Sequence, residues 1–485
     1  MMIVINEDND NFFKYPTECM TEESLCRYID FYADTKTTHF FMCPSGQRTS
    51  YRSAVQEAIW DPQPDGKPSG NIWARNCLCL FNQSIDPYHV WISRCRKRGL
   101  SPWISTRMND IHFGDDFHYF RHTNFWREHP ELHRAAPETS KSWEDYAYDY
   151  SKPGAFRYYL DLVIEQIDRY DADGYELDWM RWPACLSPGK ERAQTSVLTD
   201  FMAQVRTRID KAAERRGHPV GLSVRVPADP EAALERGFDI AAWTGRKLVD
   251  MVAASPFYAS NDPELSFGGW KEFLGAAMDH VILLPVIDNG SSPGAGLDRI
   301  EHTAPVLRGW ADTMLEDGFE GLYFFNYPYL LKNENLKPAL PRDSVHAFLK
   351  DGLAKEKIRA GERRCIVSFR DVPNRKTGSL SQLPAGLPAT LAIRNGKAPV
   401  SGSLRIELGL RRKNAVPFWF GGNSGETIRQ VRLNGNACPF EFDSDGMSCI
   451  VRPELRFFKD KRNVVEVEGA DQIEVVQAEL IIEDN

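Results

Sequence analysis

Asp173-Gly174-Tyr175-Glu176-Leu177-Asp178-Trp179-Met180 is the stretch on which the fold turns. Its apolar residues alternate with its carboxylates. Successive side chains of a strand point to opposite sides. Tyr175, Leu177 and Trp179 therefore share one face, and Glu176 and Asp178 share the other. In a parallel barrel wrapped by helices, the apolar face meets the helices and the acids point toward the barrel axis. Asp178 then lies nearer the C-terminal rim, where the active sites of such barrels form. Two inward carboxylates need partners, because a lone buried charge is costly.

Working outward, the flanking strands offer those partners. Ile104-Ser105-Thr106-Arg107-Met108-Asn109 places Ser105, Arg107 and Asn109 on one face, and Leu222-Ser223-Val224-Arg225-Val226 does the same for Ser223 and Arg225. Barrel strands lie in sequence order, so both arginines are expected to flank the carboxylates and favour their ionised form. Eight strand candidates run through the first part of the chain: Met2–Ile5, His39–Pro44, Leu100–Arg107, Gly174–Trp179, Gly221–Val226, Val249–Ser255, Val281–Ile287 and Gly321–Asn326. Helical periods fall between them, near 21–34, 86–98, 153–169, 188–216, 231–247, 268–279, 297–317 and 342–352. Strand and helix alternating eight times is the pattern of a (β/α)8 TIM barrel. An open doubly wound sheet would show a Gly-rich phosphate turn, and the sequence has none. Two long loops, near 46–85 and 108–151, follow strand ends and so belong to the catalytic face. After residue 358 the helical periods stop. Short alternating runs separated by Asn395-Gly396 and Asn434-Gly435 read as a β-sandwich. The expected domains are a barrel over 1–357 and an all-β sandwich over 358–485.

The 485-residue chain carries 42% hydrophobic and 26% charged residues and a net charge of −9. This is the composition of a globular chain with a large core. The acidic balance argues against nucleic acid or an anionic membrane as partner. The N-terminus lacks the basic and apolar regions of a signal peptide, and no apolar run is long enough to span a bilayer. Ten cysteines without regular spacing suit reduced thiols in a cytoplasmic protein. His118, His122, His129 and His133 show no metal-ligand spacing, so no metal and no cofactor is implied.

Hydrolysis of a glycosidic bond needs two carboxyl groups, one ionised and one protonated. Asp178 is the candidate for the ionised group. Glu176 lies about 6.5–7 Å along the strand, deep for a proton donor, so Asp288, Asp110 and Glu264 are alternative partners near strand ends. Asp288 and Asp110 also suit turn capping. Arg107, Asn109, His112, Trp179, Arg181, Arg225, Tyr258, Asn326 and Tyr327 follow or close strands and are the candidate substrate-binding residues. Arg181 could hold a substrate carboxylate or sulfate, or pair with a loop acid.

Asp-Gly-Tyr-Glu-Leu-Asp-Trp-Met-Arg-Trp-Pro, over 173–183, resembles the fourth-strand motif of (β/α)8 glycoside hydrolases, above all families of the hypothetical glycosyl-hydrolase type. Asp149-Tyr150-Ser151-Lys152-Pro153 and the helix after it resemble the same group. The resemblance implies a catalytic role for Asp178. The motif is also similar to the chitinase signature Asp-Gly-x-Asp-x-Asp-Trp-Glu, with Glu176 and Asp178 on its two aspartates. The catalytic Glu of that signature falls on Met180, which cannot donate a proton, so chitinase-like chemistry is not implied. Val431–Gly435 and Asn463–Glu468 resemble the jelly-roll modules that accompany glycosidases. The expectation is a glycoside hydrolase acting on carbohydrate. A non-catalytic carbohydrate-binding barrel is the alternative, and a metal-dependent hydrolase would need a cluster of ligands that the strand ends do not show.

Overall fold

The computed structural model describes residues 1–8, 10–136, 139–140, 142–257, 265–291, 300–327, 342–368, 383, 385–412, 428–443 and 448–484. Eight parallel strands close into a barrel. They are β1 (Met2–Glu7), β2 (His39–Met42), β3 (Ser101–Arg107), β4 (Gly174–Asp178), β5 (Gly221–Pro227), β6 (Met251–Ser255), β7 (Ile282–Asp288) and, after a two-residue pair β8 (Gly290–Ser291) and β9 (Ile300–Glu301), β10 (Gly321–Phe325). Each matches one of the strands read from the sequence.

The helices are set by local signals. Helix α1 (Glu22–Ala33) starts at Thr21, whose side chain accepts from the Ser24 amide. Helix α3 (Pro87–Arg98) has Asp86 as its N-cap and Gly99 at φ 78° as its C-cap. Helix α5 (Pro153–Arg169) opens on a proline, and α6 (Thr195–Arg216) ends at Gly217 with φ 74°. The sequence read 46–85 as loop, yet it contains an eleven-residue helix, α2 (Ile72–Asn82), capped by Asn71. The following loop carries a short α4 (Asn124–Glu128). The period over 231–247 forms two short helices, α7 (Pro230–Glu235) and α8 (Ile240–Gly245), with Gly237 at φ 87° between them. Further on come α9 (Phe267–Leu274), α10 (Ala304–Asp317), α11 (Arg342–Ala347) and α12 (Lys355–Arg359).

The barrel interior is built in register steps across β3, β4 and β5. At the bottom, Trp103 pairs in register with Gly174, which pairs with Gly221. A Cβ on either glycine would come within 2.5 Å of the Trp103 ring. The indole thus fills the space of three side chains, and Phe41 stacks on it at 4.9 Å. One step up lie Ser105, Glu176 and Ser223, and above them Arg107, Asp178 and Arg225. An apolar floor of Val4, Met251, Ala253, Leu284 and Val286 therefore supports a polar upper half.

The two long loops are pinned. The buried Arg48 guanidinium donates to the carbonyls of His122 (3.1 Å) and Asp61 (2.9 Å). Glu165 of α5 accepts from Tyr51 Oη (2.8 Å), Ser53 Oγ (2.5 Å) and the Ala54 amide (2.6 Å). Glu144 receives both Arg134 and Arg236, and Arg134 also reaches Glu191, joining the loops after β3, β4 and β5.

By density of internal contact, 1–255, 270–286 and 323–339 form one compact unit, and 256–269, 287–322 and 340–485 form another. Among the described residues the second contains, besides the β8–β9 pair, two larger antiparallel sheets. One has the order β11 (Arg363–Ser368), β20 (Ile473–Asp484), β14 (Gly402–Arg412), β18 (Ser448–Val451) and β17 (Phe440–Phe442), with the short β12 (Ala385–Gly386) on β20. The other has the order β13 (Ala389–Arg394), β19 (Arg462–Gly469), β15 (Ile428–Leu433) and β16 (Asn436–Cys438). Leu391, Ile406, Leu408, Val465, Val467 and Leu480 lie in the core between them, as in a sandwich. Within this unit α10 lies so close to β11 that a Cβ on Gly309 would fall 2.2 Å from the Arg364 carbonyl oxygen.

Candidate active site

The upper end of β4 carries the candidate site. Tyr175 and Trp179 face the helices: Tyr175 Oη donates to the Ile167 carbonyl at 3.2 Å, and Trp179 packs on Tyr150, Phe201 and Phe238. Glu176 and Asp178 face inward, as the alternation predicts.

Glu176 is fully buried. Its Oε1 accepts from Ser105 Oγ (2.7 Å), Tyr323 Oη (2.8 Å) and Asn6 Nδ2 (3.3 Å), and Ser223 Oγ lies 3.4 Å from Oε2. Burial, reinforced by the charge of Asp178, pushes its pKa up to about 7, against the opposing pull of Arg225 and the hydroxyls. Asp178 is held differently. Arg225 grips it with two parallel bonds, Nε to Oδ1 at 2.9 Å and Nη2 to Oδ2 at 2.8 Å. The amides of Met180 (3.0 Å) and Arg181 (3.1 Å) also donate to Oδ1. Four donors thus converge on the Asp178 carboxyl group. Arg225 is itself fixed by Ser255 Oγ at 2.9 Å and by the Phe325 ring, 3.8 Å from its Cζ.

Arg107 does not pair with Glu176 or Asp178. Its two terminal nitrogens go to Asp8, just past β1, and to Asp110 at 2.8 Å. Asp110 is buried and also takes the Nδ1–H and backbone N–H of His112 and, at 3.2 Å, Trp182 Nε1. Burial alone would raise the Asp110 pKa, but His112 and Arg107 outweigh it and hold it well below the usual carboxylate range. Arg181 Nη2 lies 3.2 Å from His112 Nε2, and Trp182 packs edge-on against His112 and Trp143. Asp110, His112, Arg181 and Trp182 thus form one wall, with Arg107 behind it.

Several other sequence candidates make contacts within the fold. Asn109 is buried and clamps two loops, donating to the carbonyls of Tyr148 (2.9 Å) and Ala184 (2.8 Å) and accepting from the Tyr148 amide. Trp179 lies on the helix side of β4, away from the barrel axis. Asn326 sits at φ 61°, donates its amide to the Asn6 carbonyl and accepts from Asn11 Nδ2 at 3.0 Å. Tyr327 is buried against Phe324. Asp288 belongs to the second compact unit, where its carboxylate accepts from the Asn289 amide at 2.7 Å. Tyr258 and Glu264 lie outside the described residues. The sequence reading missed Asn6, Asp8 and Tyr323. The signal was present in Ile5-Asn6-Glu7-Asp8, where Asn6 and Asp8 alternate as Glu176 and Asp178 do. Among the described residues no group of His, Cys, Asp and Glu side chains is arranged to hold a metal ion. No helix among them is long and apolar enough to cross a membrane.

No family model matches the sequence, and no curated protein matches it. The solved structures it resembles include glycoside hydrolases. One is the GH36 α-galactosidase AgaA of Geobacillus stearothermophilus, 11% identical, with a TM-score of 0.38 over 97% of this chain and 56% of that one. Another is the PgaB (BpsB) glycoside hydrolase domain of Bordetella bronchiseptica, 10% identical, with a TM-score of 0.43 over 72% of this chain and 99% of that one. The cycloisomaltooligosaccharide glucanotransferase of a Paenibacillus species is 8% identical, with a TM-score of 0.35 over 98% of this chain and 57% of that one. The chain therefore spans little more than half the length of the α-galactosidase and the glucanotransferase. Likenesses this distant do not extend to chemistry.

Proposed function

We propose that this chain is a glycoside hydrolase that cleaves an oligo- or polysaccharide at the C-terminal rim of its barrel. One observation carries the reading: β4 turns Asp178 toward the barrel axis in the fork of Arg225, one register step above the buried Glu176. Glu176, with its pKa near 7, keeps its proton in mildly acidic solution, while Asp178 is a carboxylate in the fork of Arg225. Glycoside hydrolysis needs one ionised carboxyl group, and Asp178, gripped by Arg225 and two backbone amides, suits that part.

In this reading Asp178 acts at the anomeric carbon, as nucleophile or as the base for water. Glu176 lies one register step deeper and is ringed by Ser105, Tyr323, Asn6 and Ser223, so its role is to support Asp178. Its neutral form spares the barrel a second buried negative charge beside Asp178. His112, Arg181 and Trp182 line the rim and meet the sugar. Residues 1–357 act as the catalytic part, and 358–485 as an accessory domain.

The test is hydrolysis of a panel of 4-nitrophenyl glycosides and of soluble glucans, mannans, xylans and galactans, read by released nitrophenol and by reducing ends. Turnover of at least one is expected. A second reading, a carbohydrate-binding barrel without catalysis, is favoured by the four hydrogen bonds that occupy Asp178 and by Met180. Retention by one of these polymers without turnover would support it and contradict the first.

A further inference from the structure

We propose that His112, oriented by Asp110, is the group that moves the proton in this cleft, supplying the acid that Met180 leaves out of the β4 motif. The inference rests on the glycoside hydrolase reading above. Three observations carry it.

The first is exposure. The His112 side chain is 18% exposed, against 0% for the Asp110 carboxylate that it bonds. Asp8, at 10%, is ion-paired with Arg107. Glu176 is sealed below.

The second is orientation. Asp110 takes the Nδ1–H of His112, and Arg107, Trp182 and the His112 amide hold Asp110 in turn. The neutral ring then carries its proton on Nδ1 and its lone pair on Nε2. The tautomer follows from this network and agrees with Arg181 Nη2 standing 3.2 Å from Nε2 as donor. An anion behind Nδ1 also stabilises the imidazolium that forms when Nε2 is protonated.

The third is the charge around the ring. Asp110 and Arg121 from the loop after β3 and Arg181 from the loop after β4 are the charged groups that face it. Burial, with both arginines, pushes the imidazole below its ordinary pKa, and Asp110 opposes them. The lowered pKa makes the imidazolium a stronger acid toward a bound oxygen.

In the step assigned to it, the imidazolium gives its Nε2 proton to the glycosidic oxygen as the bond from that oxygen to the anomeric carbon breaks. The bonding pair stays on the oxygen, and the leaving sugar departs as a neutral alcohol. Water bonds the anomeric carbon, and its proton goes to the Asp178 carboxylate. Return of that proton to His112 through solvent resets the site.

The experiment uses the full chain, with 4-nitrophenyl and 2,4-dinitrophenyl glycosides of one sugar as probes. A 2,4-dinitrophenolate leaves without needing a proton. In His112→Gln, kcat on the 4-nitrophenyl glycoside should fall about 100-fold or more, while kcat on the dinitrophenyl glycoside changes less than about tenfold. The basic limb of the pH profile should disappear. Asp178→Asn should lose both substrates. Equal loss of both in His112→Gln, or an unchanged pH profile, would overturn the proposal and leave the hydrolase reading standing. Activity kept in Asp178→Asn would instead overturn the assignment of Asp178. A measurement without turnover runs beside these: ring-nitrogen NMR of His112 at pH 7.5, expected to show Nδ1 protonated and Nε2 bare, with that preference lost in Asp110→Asn. A proton on Nε2 in the parent would overturn the proposal even if no glycoside is cleaved.

Discussion

Replacing Glu176 with Gln should change how stability depends on pH. The carboxyl titrates near 4.5 when unfolded and near 7 in the barrel. Folding therefore holds its proton more tightly, and the folded state binds more protons than the unfolded one between those values. Stability must then fall as pH rises through that window, because ionisation costs the fold more than it costs the free chain. The full difference of about 2.5 pKa units corresponds to about 3.4 kcal/mol, of which about 2.5 kcal/mol falls between pH 5 and pH 8. Gln has no such term. Its carbonyl can accept from Ser105, Tyr323 and Asn6, and its amide faces Ser223, so the packing survives. Urea unfolding of parent and variant, followed by tryptophan fluorescence at pH 5 and pH 8, isolates the effect because the other titrations cancel. The variant should gain about 2.5 kcal/mol on the parent between the two pH values. A stability difference that stays constant across that range, within about 0.5 kcal/mol, would refute the assignment of a buried, protonated Glu176.

Gly174→Ala should lower the unfolding free energy by about 1–3 kcal/mol, since its Cβ meets the Trp103 ring at 2.5 Å. Gly221→Ala meets the same indole, so in urea titrations the double variant should depart from the sum of the singles. In the second unit, Gly309→Ala puts a methyl 2.2 Å from the Arg364 carbonyl oxygen and should prevent α10 from seating on β11. Thermal unfolding would show this as a large loss, whereas Gly245→Ala, with nothing within 4 Å, should leave the stability within about 1 kcal/mol of the parent.

The strands were legible because each barrel strand is a short apolar run between helical periods, as in Leu222–Val226. Helix α2 was hidden by the turn-rich Asp61-Pro62-Gln63-Pro64-Asp65-Gly66 before it, although Trp73, Cys77 and Leu80 keep a helical spacing. The single helix read over 231–247 missed the break at Arg236-Gly237. Within the site, alternation was enough for Glu176 and Asp178, because a strand fixes which side each residue faces. It was not enough for Arg107, whose choice of acid depends on Asp8, far away in sequence. Reading the first strand as ending at Ile5 removed Asn6 and Asp8 from view, while β1 runs on to Glu7. Asn109 and Trp179 show the converse: a place at a strand end does not say whether a side chain faces the cleft or the packing around it.

The account rests on Asp178 as the reacting carboxylate, and kcat/KM of Asp178→Asn on a glycoside that the parent cleaves tests it most directly. Asn keeps the shape and can still accept from Arg225 and the Met180 amide, so near-native far-UV circular dichroism should accompany the measurement. The predicted result is a folded protein whose kcat/KM has dropped by about three orders of magnitude or more. A folded variant within about tenfold of the parent would contradict the claim.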